Sequence, residues 1–345
     1  KVELVKLAPR GPINIVTKAG KTVSQGFTIT TGKALKNVGF FTYYPWSPFL
    51  VKFNPNVVSN ITAMGSAEIT VNVDVPAGTQ KGTYMVILVL YADEISPYFP
   101  VYVLLNITVD DTPPTVNVVS PISGKILGGT IPIEVYASDP SGIDKVEFMV
   151  GALEKLYRLT FDSTTGTWKG NLNTTALLDG ATTVNVTATD KAGNVGRTSV
   201  TFTVDNTLPS VLITVPVAGA ELSGMVTIQF TATDTNLETV YLYIDNASHT
   251  VTGQTTYSWN STHVGDGSHI IRITAVDRAG NLGSKSVTVT TNNVALARQQ
   301  SYQQGQTIGY NTGYDAGQTT GIAIGSVIGL VIGAVVAFAL SRRRS

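Results

Sequence analysis

The sequence predicts an all-β chain, three tandem β-sandwiches followed by a C-terminal transmembrane α-helix. Three observations predict it. Short runs alternate apolar and polar residues through the first 293 positions, the period-two pattern of half-buried strands. A six-residue linker returns after 95 residues, which is how a repeated domain shows itself. Twenty uncharged residues, Gly321 to Leu340, stand just before the C-terminus. At ~1.5 Å per residue they reach ~30 Å, the thickness of a bilayer's hydrocarbon core.

Composition sets the first limits. The chain has 345 residues, with 23 Lys and Arg against 23 Asp and Glu. Charged residues make up 13% of it, against a usual ~25%, and the 47 threonines outnumber all 46 charges together. Zero net charge argues against a nucleic-acid binder, which needs a basic face to displace counterions. An apolar content of 43% excludes wholesale disorder. There is no cysteine, hence no disulfide framework, no thiol nucleophile and no thiolate zinc site. The first residue is Lys1, which predicts that an upstream segment such as a signal peptide has been removed.

Residues 1–111 read as the first sandwich. Ile69, Val71, Val73 and Val75 alternate with polar residues as one strand, and Val75-Pro-Ala-Gly78 followed by Gly82-Thr-Tyr84 reads as a turn before a core strand. Six aromatic residues, Phe40, Phe41, Tyr43, Tyr44, Trp46 and Phe49, fall within ten positions. One reading is core plus loop. The other is an exposed binding patch of Tyr43, Tyr44, Trp46 and Phe49 for a sugar or a protein.

Residues 112–205 and 206–293 read as two copies of one module. Val109-Asp-Asp-Thr-Pro-Pro114 returns as Val204-Asp-Asn-Thr-Leu-Pro209. Asp139 matches Asp234, Trp168 matches Trp259, and Asp179-Gly180 matches Asp266-Gly267. Asp190-Lys-Ala-Gly-Asn194 matches Asp277-Arg-Ala-Gly-Asn281. Within each copy a strand alternates cleanly, Ile131 to Ala137 and Val226 to Ala232. The Ala-x-Asp strand end and the Asp-x-Ala-Gly-Asn turn resemble those of bacterial and archaeal immunoglobulin-like repeats of secreted surface proteins. The first domain looks like the β-sandwich module found beside sugar-processing enzymes and in archaeal envelope proteins.

The C-terminal part begins with a glycine ladder. Gly305, Gly309, Gly313, Gly317, Gly321, Gly325, Gly329 and Gly333 stand at every fourth position. Small residues at that spacing let helices approach closely in lipid, whereas in water each glycine costs a helix ~1 kcal/mol against alanine. Residues 294–320 are therefore either a self-packing helix or a flexible linker. Residues 321–340 form the span, and 341–345 with Arg342 to Arg344 form a basic cytoplasmic tail. This places the N-terminus outside. The same pattern also resembles a signal exchanged for a lipid anchor.

Candidate chemistry is sparse. Gly20-Lys21-Thr22 mimics the end of a phosphate loop, but Ile15 stands where its first glycine belongs. His249, His263 and His269 lack metal-ligand spacing, and no serine sits in a nucleophile elbow, so no catalytic residues and no enzyme are predicted. Asp110, Asp111, Asp139 and Asp190 should gather at one end of the middle module, and Asp205, Asp234 and Asp277 at the same end of the last. They either cap turns or hold a structural calcium ion, a hard cation that takes oxygen ligands. No other cofactor is expected. Asn60, Asn106, Asn173, Asn185, Asn246 and Asn260 head N-glycosylation triplets.

As a whole the chain resembles an archaeal-type cell-surface protein, in particular the small membrane-anchoring subunit of surface (S-)layers. The resemblance implies a glycosylated stalk on the cell surface, a membrane anchor, a homo-oligomer through the C-terminal helix and a major surface-layer protein as partner. Two alternatives remain at this stage. One is an adhesin or carbohydrate- or protein-binding module, and the other is the anchoring tail of a secreted hydrolase.

Overall fold

The computed structural model describes residues 5–8, 11–43, 48–95, 101–151 and 155–319. The chain divides into two compact units, Lys1–Asn206 and Thr207–Ser345. Three separate hydrophobic cores lie within them, two in the first unit and one in the second.

In the first sandwich one sheet runs in the order β1 (Val5–Ala8), β3 (Thr22–Thr31), β7 (Ser66–Asp74), β5 (Leu50–Asn54). The other runs β2 (Ile13–Thr17), β9 (Val101–Val109), β8 (Gly82–Tyr91), β4 (Leu35–Thr42), β6 (Val57–Ile61). The β2–β9 pair is parallel and the other pairs are antiparallel. Alternation does what the sequence predicts: Ile69, Val71 and Val73 of β7, and Val75 just beyond it, are buried. Their β-branched side chains pack well on a pleated surface.

The second sandwich pairs a sheet of β10 (Thr115–Ser120), β12 (Thr130–Ser138), β16 (Thr167–Asn173) and β15 (Thr160–Asp162) with a second sheet. That second sheet is β11 (Ile126–Leu127), β18 (Val195–Val204), β17 (Gly180–Asp190), β13 (Ile143–Val150) and β14 (Lys155–Arg158). The third sandwich repeats it, with β19 (Ser210–Val215), β21 (Met225–Thr233) and β24 (Thr256–Asn260) facing another sheet. The facing sheet is β20 (Glu221–Leu222), β26 (Leu282–Thr291), β25 (Gly267–Asp277), β22 (Leu237–Ile244) and β23 (Ala247–Thr250). Even the irregularities repeat: register shifts at Val118/Ser120 and Ile213/Val215, and at Ile143/Lys145 and Leu237/Thr239.

Helix α1 (Asn293–Thr319) follows the third sandwich and carries Gly305, Gly309, Gly313 and Gly317. A Cβ placed on Gly305 would meet no atom within 4 Å. Among the described residues no helix is long and apolar enough to cross a membrane. The expected span 321–340 and its glycines, Gly321, Gly325, Gly329 and Gly333, lie outside the described residues, as does the basic tail.

One border moves. Asn206 Oδ1 accepts from Gly129 N at 2.9 Å and from Thr174 Oγ1 at 2.9 Å. Its Nδ2 donates to Thr174 O at 3.0 Å, and its own N–H donates to Asp179 Oδ1 at 2.7 Å. Asn206 is thus built into the second sandwich rather than opening the third.

Candidate functional site

The end of the first sandwich and the start of the second meet at residues 110–114. Strand β9 ends at Val109, and Asp110 N continues the pairing to Thr17 O at 2.8 Å. Asp110 is buried. Its Oδ1 accepts from Thr112 N at 3.1 Å and faces Lys81 Nζ at 3.2 Å. Burial pushes this carboxyl up, but the Thr112 amide and the Lys81 ammonium outweigh it and hold the group below its ordinary value.

Two turns of the second sandwich converge on the same place. Asp139, just past β12, accepts from Ser141 N and Ser141 Oγ at 2.7 Å each. Asp190 closes β17 and is 1% exposed. The turn 190–194 folds back through Gly193 at φ +89°, a left-handed value that favours glycine. Asn194 N then reaches Asp190 Oδ1 at 2.8 Å, and Asn194 Nδ2 reaches Asp190 Oδ2 at 2.9 Å. The same Nδ2 donates to the carbonyl of Asp110 at 2.7 Å. Lys18 adds a second tie, Nζ to Gly193 O at 3.2 Å.

The structure therefore brings together Asp110, Asp139 and Asp190, each offering an oxygen within 4.8 Å of the others. Calcium binds oxygens at about 2.3–2.6 Å, so donors on opposite sides of one ion stand about 4.8 Å apart. The cluster fits that size and that donor chemistry. Asp111 does not join it; its Oδ1 accepts from Ala19 N at 3.1 Å.

The sequence copy carries Asp205, Asp234 and Asp277. Asp205 is buried at the end of the first unit, with its N–H on Leu127 O at 3.0 Å. In the second unit Asp234 Oδ1 accepts from Asn236 N at 2.6 Å. Asp277, also buried, accepts from Asn281 N at 2.8 Å and from Asn281 Nδ2 at 2.7 Å. Asn281 Nδ2 also reaches Thr207 O at 3.3 Å.

Two glycines at these turns escaped the sequence reading. A Cβ on Gly196 would collide with the carbonyl of Pro114, and one on Gly283 with the carbonyl of Pro209. Both stand two residues after the turn asparagine, and that repetition was the available signal. The exit asparagine was missed as well. Asn293 makes the bonds of Asn206 again, to Gly224 N, Ser261 Oγ, Ser261 O and Asp266 Oδ1, at 3.0, 2.9, 2.9 and 2.7 Å.

The glycosylation triplets divide by environment. Asn173 and Asn260 cap short 3-10 turns, and each Oδ1 accepts from both the N–H and the hydroxyl of the threonine two residues on. Those two triplets therefore also serve the fold as caps. Asn106 is half-buried on β9 and donates to Asn14 Oδ1 at 3.1 Å. Asn60, Asn185 and Asn246 are exposed, Asn185 between buried Val184 and Val186.

The aromatic run splits in two. Phe40 is buried, edge-on to Phe27 at 5.4 Å and stacked on Phe53 at 5.2 Å. Phe49, expected in the binding patch, is instead a core residue, 5% exposed and edge-on to Tyr84 at 5.1 Å. Strand β5 follows it immediately and turns its ring inward. Tyr43 is 49% exposed, and Tyr44 and Trp46 lie outside the described residues.

The histidines bond to ordinary neighbours: His249 Nδ1 to Tyr257 OH at 3.2 Å, His263 Nε2 to Asn260 Nδ2 at 3.2 Å, and His269 to Asp245 and Gly265. Among the described residues the groupings able to hold a metal contain aspartates only.

The family model described as Bacterial Ig domain matches residues 114–186 and 209–289, the two repeated sandwiches. Among curated proteins no sequence matches. Several solved structures are similar. The fibronectin(III)-like modules of Clostridium thermocellum CbhA are 21% identical over 53% of this chain and 96% of theirs, with a TM-score of 0.35. A Ca2+-stabilized adhesin of an Antarctic bacterium is 20% identical over 85% of this chain and 75% of its own, at 0.35. A 1.5-MDa bacterial ice-binding adhesin is 21% identical over 84% and 98%, at 0.33. These values are too low to carry a function to this chain.

Proposed function

We propose that this chain is a structural protein of the cell envelope, a glycosylated β-sandwich stalk that holds a surface (S-)layer or similar extracellular assembly to the membrane. The observation that carries the reading is the joint at residues 110–114. A spacer must transmit position, and here Asn194, Asp111 and Gly196 pin the linker from both sandwiches while Lys18 ties the first sandwich to the 190–194 turn of the second. A composition poor in charge and rich in threonine suits a surface solubilised by glycans. Asn60, Asn185 and Asn246 are the acceptors best placed to carry them. The apolar residues 321–340 would supply the anchor, and the glycine ladder a contact between copies. The reading involves no catalysis.

The same proposal gives Asp110, Asp139 and Asp190 a structural calcium ion. Two of the three carboxylates, those of Asp110 and Asp190, are buried, and Lys81 pairs with Asp110. Buried like charges are costly unless neutralised, and a divalent ion would do so while stiffening the joint.

The test is to solubilise the envelope in mild detergent and recover the chain. One dominant envelope protein in fixed ratio is expected, and recovery of the chain alone sinks the anchor reading. Calcium chloride should raise the melting temperature of the purified chain and Asp190→Asn should abolish that rise. No thermal shift and no heat on titration would remove the ion.

A further inference from the structure

One outer sheet face of the first sandwich carries a patch of apolar and aromatic side chains with no charge among them. Three strands build it. Phe41 on β4 pairs with Val89 on β8, and Val89 pairs with Tyr102 on β9, so the three form one row across the sheet. The inward residues Leu88 and Leu90 are in the core, which puts Val89 on the outer side. Val89 is nonetheless buried, while Phe41 and Tyr102 beside it are 50% and 52% exposed. Rings standing on both flanks of a valine make a raised, apolar shelf.

Two more rings complete it. Tyr91 stands opposite Gly39 in the register, and a Cβ on Gly39 would fall inside the Tyr91 ring. The ring therefore lies across the bare backbone of β4, held on one side by a residue that has no side chain. Its centroid is 6.2 Å from that of Phe41. Tyr43, whose N–H bonds to Ile87 O at 2.8 Å, stands edge-on to Tyr102 at 5.9 Å. Covering a sheet glycine accounts for Tyr91 alone. It does not account for three further half-exposed rings on the same face.

We propose that this face binds a neutral polysaccharide, a function separate from the stalk role. Three features select that occupant. The rings are fixed by register and by Gly39, so little conformational entropy is lost when a ligand stacks on them. Their electron-rich faces suit the C–H face of a pyranose ring, and the hydroxyls of Tyr91 and Tyr102 can bond its edge. None of the shelf residues is charged, which excludes a polyanion, since that needs Lys or Arg.

The experiment uses the full chain in detergent, depleted from solution by cellulose, chitin and a mannan resin, with dextran sulfate as the charged comparison. At least one neutral polysaccharide should retain it. The double variant Phe41→Ala/Tyr102→Ala should lose at least about tenfold in affinity with an unchanged melting temperature. Tyr136→Ala, which removes an exposed ring of the second sandwich, should lose nothing. Failure of all three neutral polymers overturns the proposal, as does stronger binding to dextran sulfate. A concentration-dependent dimer abolished by the double variant would overturn it too, and would make a second copy the occupant. If the double variant melts early, Tyr102→Ala alone is read in its place, against the same outcomes.

Discussion

Asn194 Nδ2 donates to the main-chain carbonyl of Asp110 at 2.7 Å, across 84 residues of sequence. One side-chain amide thus couples the last turn of the second sandwich to the chain leaving the first, and it does so beside two buried carboxylates. Asn194→Ala leaves that carbonyl and the Asp190 carboxylate short of donors. Urea denaturation should show a loss of about 2 kcal/mol. Limited proteolysis should find cleavage near Thr112 that the parent chain resists. Neither change would mean that Lys18 and the Pro114 contact suffice.

Gly196→Ala and Gly283→Ala force a methyl against a proline carbonyl that cannot retreat without moving the linker. Each should cost about 1–3 kcal/mol, the range for overpacking a closed site. Gly26→Ala is the control, because nothing lies within 4 Å of a Cβ there. Equal melting temperatures for all three variants would contradict the packing argument.

His269 sits between two acceptors, Asp245 Oδ2 at 2.7 Å on Nδ1 and Gly265 O at 2.9 Å on Nε2. Neither acceptor can donate, so the geometry calls for an imidazolium. The Asp245 bond, against the opposing effect of burial, raises the ring's affinity for its proton. For Asp245, burial pushes the carboxyl up, and the His269 bond and the Ile270 amide outweigh it, leaving it lowered. Asp266 nearby is engaged by Asn293 and Val294 instead. A raised imidazole stabilises fully below ~6.5 and loses that stability as pH rises through its folded value. The lowered carboxyl contributes above ~3.9 and fails as pH falls below that. The pair should therefore add about 0.5–1 kcal/mol near pH 5–6, fading as pH rises through the ring's folded value. The difference in melting temperature between the parent and His269→Gln, followed across pH, checks the sign.

Asp266 accepts from Asn293 N at 2.7 Å and Val294 N at 3.0 Å, and Asn292 Oδ1 accepts from Ala295 N at 3.1 Å. These satisfy three of the donors that a helix start leaves open. The same bonds hold the Asp266 carboxyl below its ordinary value. Asp266→Ala should accelerate hydrogen exchange at Asn293 and Val294 while leaving the core amides of β25 and β26 protected. Unchanged exchange at both positions would show that the helix start does not depend on Asp266.

Much of this was legible in the sequence because alternation and repetition are local signals. Val71, Ile133 and Ile228 declare their strands by spacing alone, and Asp110, Asp139 and Asp190 could be placed together once the repeat fixed the topology, although Asp111, expected with them, turns to Ala19 instead. What stayed hidden depended on contacts across the chain. Phe49 and Tyr43 look alike in an aromatic run, and only the strand that follows Phe49 turns it inward. Phe41, Tyr91 and Tyr102 are far apart in sequence and become neighbours through β-pairing. Gly196 announces a need for space without saying what fills it, and the turn-capping bonds of Asn173 do not show in its triplet.

The seat shared by Asn206 and Asn293 has a consequence for how such a chain changes length. After Asn206 the polypeptide goes on to another sandwich, and after Asn293 it goes on to a helix, yet both side chains make the same set of bonds. Neither sandwich needs to know what comes next. A chain one repeat shorter would keep the same exit seat. Joining Asn206 directly to Val294 would then leave Asp179 to receive the helix as Asp266 does.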